Sequence, residues 1–374
     1  MSLSSPGGNH LPRHIPALDG VRGLAIGLVL LAHCIHLPLD NASPQGPWQN
    51  YAYRWTTLAW SGVELFFVLS GFLITKVLLE NRDSPNLFKV FYTRRACRIL
   101  PLYIAVVLAA FAGMHFLAHN AFWEQMFDGQ PPWQGFATLT QNYFMGVANN
   151  YGGVALSVTW SLAVEEQFYL VLPLVIRFLP QRYLPWLFAG GIPWAYLVRM
   201  HLHDTRGYIY APSQADALLL GCLLAWTCGQ PAAYGWLKRQ GGGLSLLLVL
   251  VGAGLIFINR MPEYFGRPVQ TTFLVFFYAT LVLLAVTQPD HLLSRFLSMR
   301  WIGFLGMISY GVYLFHFSLQ AIVYWIVKGT VPTINNGTDL IYPIIIVGLS
   351  IGLASLSWFF YERPWVKLGH RVKF

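Results

Sequence analysis

The string LDGVRGLAIGLVLLAHCIH, from Leu18 to His36, places an arginine and a histidine eleven residues apart in an otherwise apolar run. At 3.6 residues per turn that spacing puts Arg22 and His33 on one helix face, separated by about 16 Å along the axis. A guanidinium at the helix edge can hold an anionic group, while an imidazole deeper in handles a proton near neutral pH. Taken singly, Arg22 also suits an interfacial anchor that extends to the headgroups, and His33 a hydrogen-bonded core histidine.

Further strings repeat the pattern of ionisable groups in apolar surroundings, where each is costly and marks function by default. GVELFFVLSGFLITK carries Glu64, which needs a partner inside the bundle, among small residues (Ser61, Gly62, Ser70, Gly71) that permit close helix approach. RRACRILP sets Arg95 and Arg98 three apart, on one helix face. Such a pair suits phosphate, although arginines here also serve as topology signals. TWSLAVEEQFYLVLP lines up Trp160, Ser161, Glu165 and Tyr169 at spacings near four. Two adjacent carboxylates, Glu165 and Glu166, favour function over simple complementation of the helix dipole. SYGVYLFHF puts Tyr313 and His316 on one face, and YERP ends the series with Glu362. His36 and Asp40 mimic the HxxxD of soluble acyltransferases, but Pro38 interrupts them and the match is read as chance.

The elements that must position these groups follow from composition. Of 374 residues, 56% are hydrophobic and only 10% charged, with mean hydropathy +0.51, whereas soluble domains carry about 25% charge. The fold class is therefore all-α and polytopic, with about ten transmembrane helices, near 21–39, 57–79, 99–118, 160–179, 183–200, 213–229, 242–258, 271–287, 305–327 and 341–361. With the N-terminus inside, sixteen Lys and Arg fall on the inner side and six on the outer. That bias predicts that both termini are cytoplasmic. One integral domain spans 1–374, with a flexible N-terminal segment at 1–17 and a long outer loop at 119–158. The loop has no Lys or Arg but holds Trp123, Trp133, Tyr143 and Tyr151 beside asparagines. Aromatic faces and amides suit a sugar. The four cysteines show no CxxC spacing and are expected reduced. No metal is expected, since the histidines (His33, His36, His115, His316) lack a paired ligand spacing, and no nucleic acid is expected as a partner.

Together the strings LDGVRG with its Arg-x10-His spacing, FFVLSGFLI, Arg-x-x-Arg, WSLAVEEQFYL, SYGVYLFH and the terminal Glu-x-Pro resemble the acyltransferase-3 family of integral membrane O-acyltransferases. They run in family order from Leu18 to Pro364. The resemblance implies an enzyme, a ten-helix bundle of a bacterial inner membrane. It would move an acyl group, usually acetyl, from cytosolic acyl-CoA (a co-substrate, with no bound cofactor) to a hydroxyl of a carbohydrate or glycoconjugate. The expected form is the stand-alone one, without the SGNH hydrolase-like domain that some members carry. By motif, His33 is the essential histidine and general base, Arg22 its partner, Arg95 and Arg98 the donor-binding pair, and Glu165 the family's glutamate, expected to orient the imidazole. Asp19, Glu64, Ser161, Tyr169, Tyr313 and His316 are supporting residues, and the required oxyanion donor is one of Ser161, Tyr169 and Tyr313. The competing expectation is a transporter or flippase of a lipid-linked sugar, because buried charges also mark substrate pathways.

Overall fold

Inside a bilayer every backbone N–H and C=O must be satisfied without water, which helices achieve within one segment. The computed structural model describes residues 12, 14–42, 46–117, 121–202, 204–259 and 263–374, and all regular structure among them is helical. Long helices lie over all ten predicted runs: α1 (Pro16–Leu31), α2 (Gly62–Glu80), α3 (Leu87–Leu117), α4 (Thr159–Phe178), α5 (Leu184–His201), α6 (Ala215–Cys228), α7 (Gly241–Ile258), α8 (Glu263–Thr287), α9 (Ser309–Lys328) and α10 (Ile341–Ser357).

By length and apolarity alone, seven of the described segments can cross a membrane, or eight if the bent pair Ala211–Cys228 and Pro231–Arg239 forms one span. The predicted ten is not reached on that criterion, and composition explains why. Glu165, Glu166 and Gln167 interrupt α4, while Pro185, Pro193, Arg199 and His201 lower the apolarity of α5. Two further boundaries differ from expectation. α3 begins at Leu87 and runs through Pro101, so Arg94, Arg95 and Arg98 lie within the helix and not ahead of it. The described part of the predicted outer loop is folded into short helices at Ala121–Phe127, Trp133–Ala137 and Gln141–Val147. Most of the predicted flexible segment, and Arg13 and Arg260 of the charge count, lie outside the described residues.

α2 is the central helix: 72% of its apolar window is buried, against 17% for α3 and for α7. Lipid offers apolar groups no less than a neighbouring helix does, so close backbone approach through small residues holds such bundles together. Gly71 of α2 and Gly221 of α6 supply it. A Cβ on Gly71 would lie 2.0 Å from the Leu218 oxygen, and one on Gly221 would lie 2.1 Å from the Val68 oxygen. The glycines of LDGVRG do the same for α1. Gly20 rests on the Leu297 backbone and Gly23 on that of Ile302, while Gly306 rests on the backbone of Asp19. The helices Leu292–Leu297 and Arg300–Met307 thereby fix the start of α1 and the arginine it carries.

Gly221→Ala should cost about 1–3 kcal/mol by overpacking and lower the Tm of the detergent-solubilised protein by several degrees. Gly27→Ala, whose Cβ would meet nothing within 4 Å, should leave the Tm unchanged or raise it. Equal Tm values for the two variants would contradict the glycine-mediated crossing.

Candidate functional site

Two cavities open within the bundle, and Val63 and Tyr313 line both. The smaller, about 140 Å³, lies at the end of the bundle that holds Arg22, Arg95 and Arg98. The larger, about 1040 Å³, lies beyond Tyr313 and includes His33 and His36 in its wall. The stripe on α1 thus presents its arginine to one cavity and its histidine to the other.

At the arginine end three guanidiniums converge. Arg22 donates to Asp19 Oδ1 at 2.8 Å, and Asp19 also pairs with His14. The Arg95 guanidinium lies 5.2 Å over the Tyr169 ring and that of Arg98 5.3 Å over Trp358. Glu362, buried and accepting from Ser357 Oγ at 2.9 Å, is a counter-charge for Arg98. Glu165 lines the same cavity, where it accepts hydrogen bonds from Ser70 Oγ (2.5 Å) and the Tyr169 hydroxyl. Three guanidiniums converge here among three carboxylates, Asp19, Glu165 and Glu362, and their planar N–H donors suit an anionic group. A space of 140 Å³ is smaller than the usual 300–1,000 Å³ of ligand pockets. It admits a slender chain, with any bulky anionic head left at the mouth.

The expected carboxylate on the imidazole is not found. His33 Nδ1 lies 2.7 Å from His316 Nε2, with the two ring planes 9° apart, and Glu165 has no contact with His33. The reason is local: α9 brings His316, buried, to the position the carboxylate would need. His316 Nδ1 faces the carbonyl oxygens of Val312 (3.1 Å) and Tyr313 (2.8 Å). Carbonyls only accept, so His316 Nδ1 carries the proton and its Nε2 is an acceptor. His33 therefore donates from Nδ1 and keeps a free lone pair on Nε2. An imidazole held in that tautomer can take a proton from a hydroxyl.

Between the cavities, the Tyr313 hydroxyl donates to the Val158 oxygen at 2.9 Å and lies 2.7 Å from Ser161 Oγ. Tyr169 stays with Glu165 at the arginine end. The large cavity is walled by aromatics, including Tyr53, Trp60, Trp160 and Tyr208. Of the aromatics expected from 119–158, only Tyr151 reaches it. Trp133 and Tyr143 are exposed elsewhere, and Trp123 stacks on Phe127. Arg199, one of the six basic residues assigned to the outer side from the sequence, is buried in the wall, bonded to both oxygens of Asp216, with Thr272 Oγ1 at 3.0 Å. Glu64 is fully buried with the Tyr208 hydroxyl close by, and neither of its oxygens has a hydrogen-bond partner among the described residues. The charged partner expected for it is absent, because Arg199 is taken by Asp216. Among the described residues no group of three His, Cys, Asp or Glu is placed to hold a metal ion.

A family model described as an acyltransferase domain matches residues 15–362, nearly the whole chain. The chain belongs to the acyltransferase-3 family. Two relatives named O-acetyltransferase OatA, from Staphylococcus aureus strains NCTC 8325 / PS 47 and COL, are each 27% identical over 384 aligned residues. The alignments cover 96% of this chain but 58% of each relative, so the chain spans a little over half their length. No solved structure matches it. In this family member, Gln320, Trp60 and Tyr208 were not singled out from the sequence, and Ser70, expected only to let helices approach, bonds Glu165. Gln320 had one legible signal, its position four residues after His316 and so on the same helix face.

The Arg199–Asp216 pair should behave as a buried ion pair that tolerates joint but not single removal. Arg199→Met alone should cost about 3–5 kcal/mol, and Arg199→Met with Asp216→Leu much less, read from thermal unfolding in detergent. A double variant no more stable than the single one would contradict that role.

Proposed function

We propose that the protein is a membrane O-acetyltransferase of a bacterial inner membrane. It would transfer acetyl from acetyl-CoA, bound at the arginine end on the cytoplasmic side, to a hydroxyl of a carbohydrate or glycoconjugate in the large cavity. The carrying observation is the His33–His316 pair, which leaves one imidazole nitrogen of His33 free in the wall of the large cavity, the cavity that shares Tyr313 with the narrow arginine-end slot. Family membership and relatives named as O-acetyltransferases support the same reading.

Arg95 and Arg98 hold the phosphates of the donor at the mouth, with Arg22 and Asp19 closing the inner edge. The pantetheine arm lies in the narrow cavity, its thioester directed at Tyr313. The acceptor sugar stacks its C–H faces on the aromatic walls and brings one hydroxyl to His33 Nε2. That nitrogen takes the hydroxyl proton as the oxygen attacks the thioester carbonyl. The C–S bond then breaks, and the proton passes from His33 to the departing thiolate, giving acetyl ester and free CoA. His316 supports the cationic imidazole during transfer, as a hydrogen-bond partner does in catalytic triads. Tyr313 and Ser161, next to the junction, are the nearest hydroxyls to the developing oxyanion, and one of them would turn its proton from the Val158 oxygen or from the other to donate there. Glu165 keeps Tyr169, and through it Arg95, in place on the donor side.

Purified protein in detergent, given acetyl-CoA and a panel of sugar acceptors, should release free thiol. His33→Ala should lower that rate by about 10²- to 10⁴-fold, the usual worth of a general base. Undiminished release in His33→Ala would discard His33 as the base. No release with any acceptor by folded wild type would favour a transporter. Arg98→Ala should instead raise the KM for acetyl-CoA by about tenfold or more, the worth of a charge-assisted hydrogen bond. An unchanged KM would remove Arg98 from the donor site.

A further inference from the structure

Just at His33 the first transmembrane helix departs from α geometry. Residues Ala32–His36 form a π turn, and the N–H of Leu37 bonds the oxygen of Ala32, five residues back. The backbone oxygen of His33 is then stranded. Its α-helical partner, the N–H of residue 37, is already bonded, and its π-helical partner would be residue 38, a proline without an N–H. π turns of this kind concentrate at functional sites, and a buried unpaired carbonyl is costly in a membrane interior.

The missing donor comes from another helix. Gln320, fully buried on α9, donates from Nε2 to the His33 oxygen at 2.7 Å. One turn earlier on the same face of α9, His316 bonds the His33 ring. α9 therefore grips His33 twice, by the imidazole through His316 and by the backbone through Gln320.

We infer that Gln320 is a positioning residue for the catalytic histidine: it caps the carbonyl that Pro38 leaves without a donor and so fixes the π turn that aims His33 Nε2 into the large cavity. The inference rests on His33 acting as the base. Gln320 touches no substrate, so its loss should reach the chemistry through misplacement of the imidazole and leave donor binding intact. Shifts of about 1 Å at a reacting group cost up to about 10²-fold in rate.

The test uses the full-length protein in detergent with acetyl-CoA and the acceptor on which wild type is active. Gln320→Met keeps the length and burial of the side chain but removes the donor. Its kcat should fall about ten- to a hundredfold, with the KM for acetyl-CoA within about twofold of wild type. Pro38→Ala restores an N–H at residue 38, in π register with the His33 oxygen. Added to Gln320→Met, it should recover several-fold of the lost kcat, which repacking around a merely structural glutamine would not do. Wild-type kcat in Gln320→Met would overturn the inference, as would a double variant no faster than the single one. Loss of folded Gln320→Met protein that Pro38→Ala fails to restore would assign Gln320 to stability alone and also overturn it; restoration of folding by Pro38→Ala would support it. His33→Ala in the same assay separates the two claims. If it retains turnover, the base assignment fails whatever Gln320 does.

Discussion

An imidazole inside a lipid-embedded bundle can act as a base only if one nitrogen is held as a donor and the other left free. The hydrogen bond from His33 Nδ1 to His316 Nε2 meets that requirement, and much of the site is arranged around it. The tautomer is set remotely: two carbonyls of α9 fix the proton on His316 Nδ1, which makes its other nitrogen an acceptor, which in turn makes His33 a donor. A neutral imidazole partner also spares the buried His33 ring a carboxylate at hydrogen-bond distance. The carboxylate of Glu165 is placed at the arginine end, beside cations that can offset its charge.

The scaffold serves this geometry at both ends of α1. Gly20, Gly23 and Gly306 bring backbones into contact near Asp19 and Arg22, so the arginine is presented from a rigid base. Toward the other end, the π turn that carries His33 stops just short of Pro38, which has no N–H to offer the His33 oxygen. A second π turn, Trp358–Glu362, stands in the same relation to Pro364 and carries both the ring that Arg98 covers and the carboxylate that opposes its charge. In each case a proline stands two residues beyond the turn, and the turn carries a candidate site residue, His33 in one and Glu362 in the other.

A helix lies over each of the ten apolar runs read from the sequence, although seven or eight of the described segments are long and apolar enough to span, because apolar runs and their bounding charges are local features. It also brought out Arg22, Arg95, Arg98, His33, Tyr313 and His316, because ionisable groups in apolar runs stand out one at a time. It did not reveal which groups meet. The spacing within WSLAVEEQFYL shows that Glu165 and Tyr169 share a face, but not that this face points to the arginines and away from His33. That His316 meets the His33 ring was not legible, because the two lie 283 residues apart in the chain. Gln320 is uncharged, and its one signal, a place four residues after His316 on the same helix face, does not say that it reaches the His33 backbone. Pro38 was read only as an interruption of a chance motif, although its missing N–H reshapes the backbone at His33. The aromatic wall of the large cavity, too, comes mainly from helices and their ends, and only in small part from the Trp- and Tyr-bearing loop that composition singled out.

The central claim is that donor and acceptor reach His33 from opposite ends of the bundle, through cavities that meet at Tyr313. Reconstitution into sealed vesicles with one orientation selected tests it most directly. Labelled acetyl-CoA is supplied only on the side exposing the arginine end, and a carbohydrate acceptor only on the other. The account predicts acetylated acceptor in the compartment that never contained acetyl-CoA, and none when His33 is replaced by alanine. Acetylation only when donor and acceptor share a compartment would contradict it.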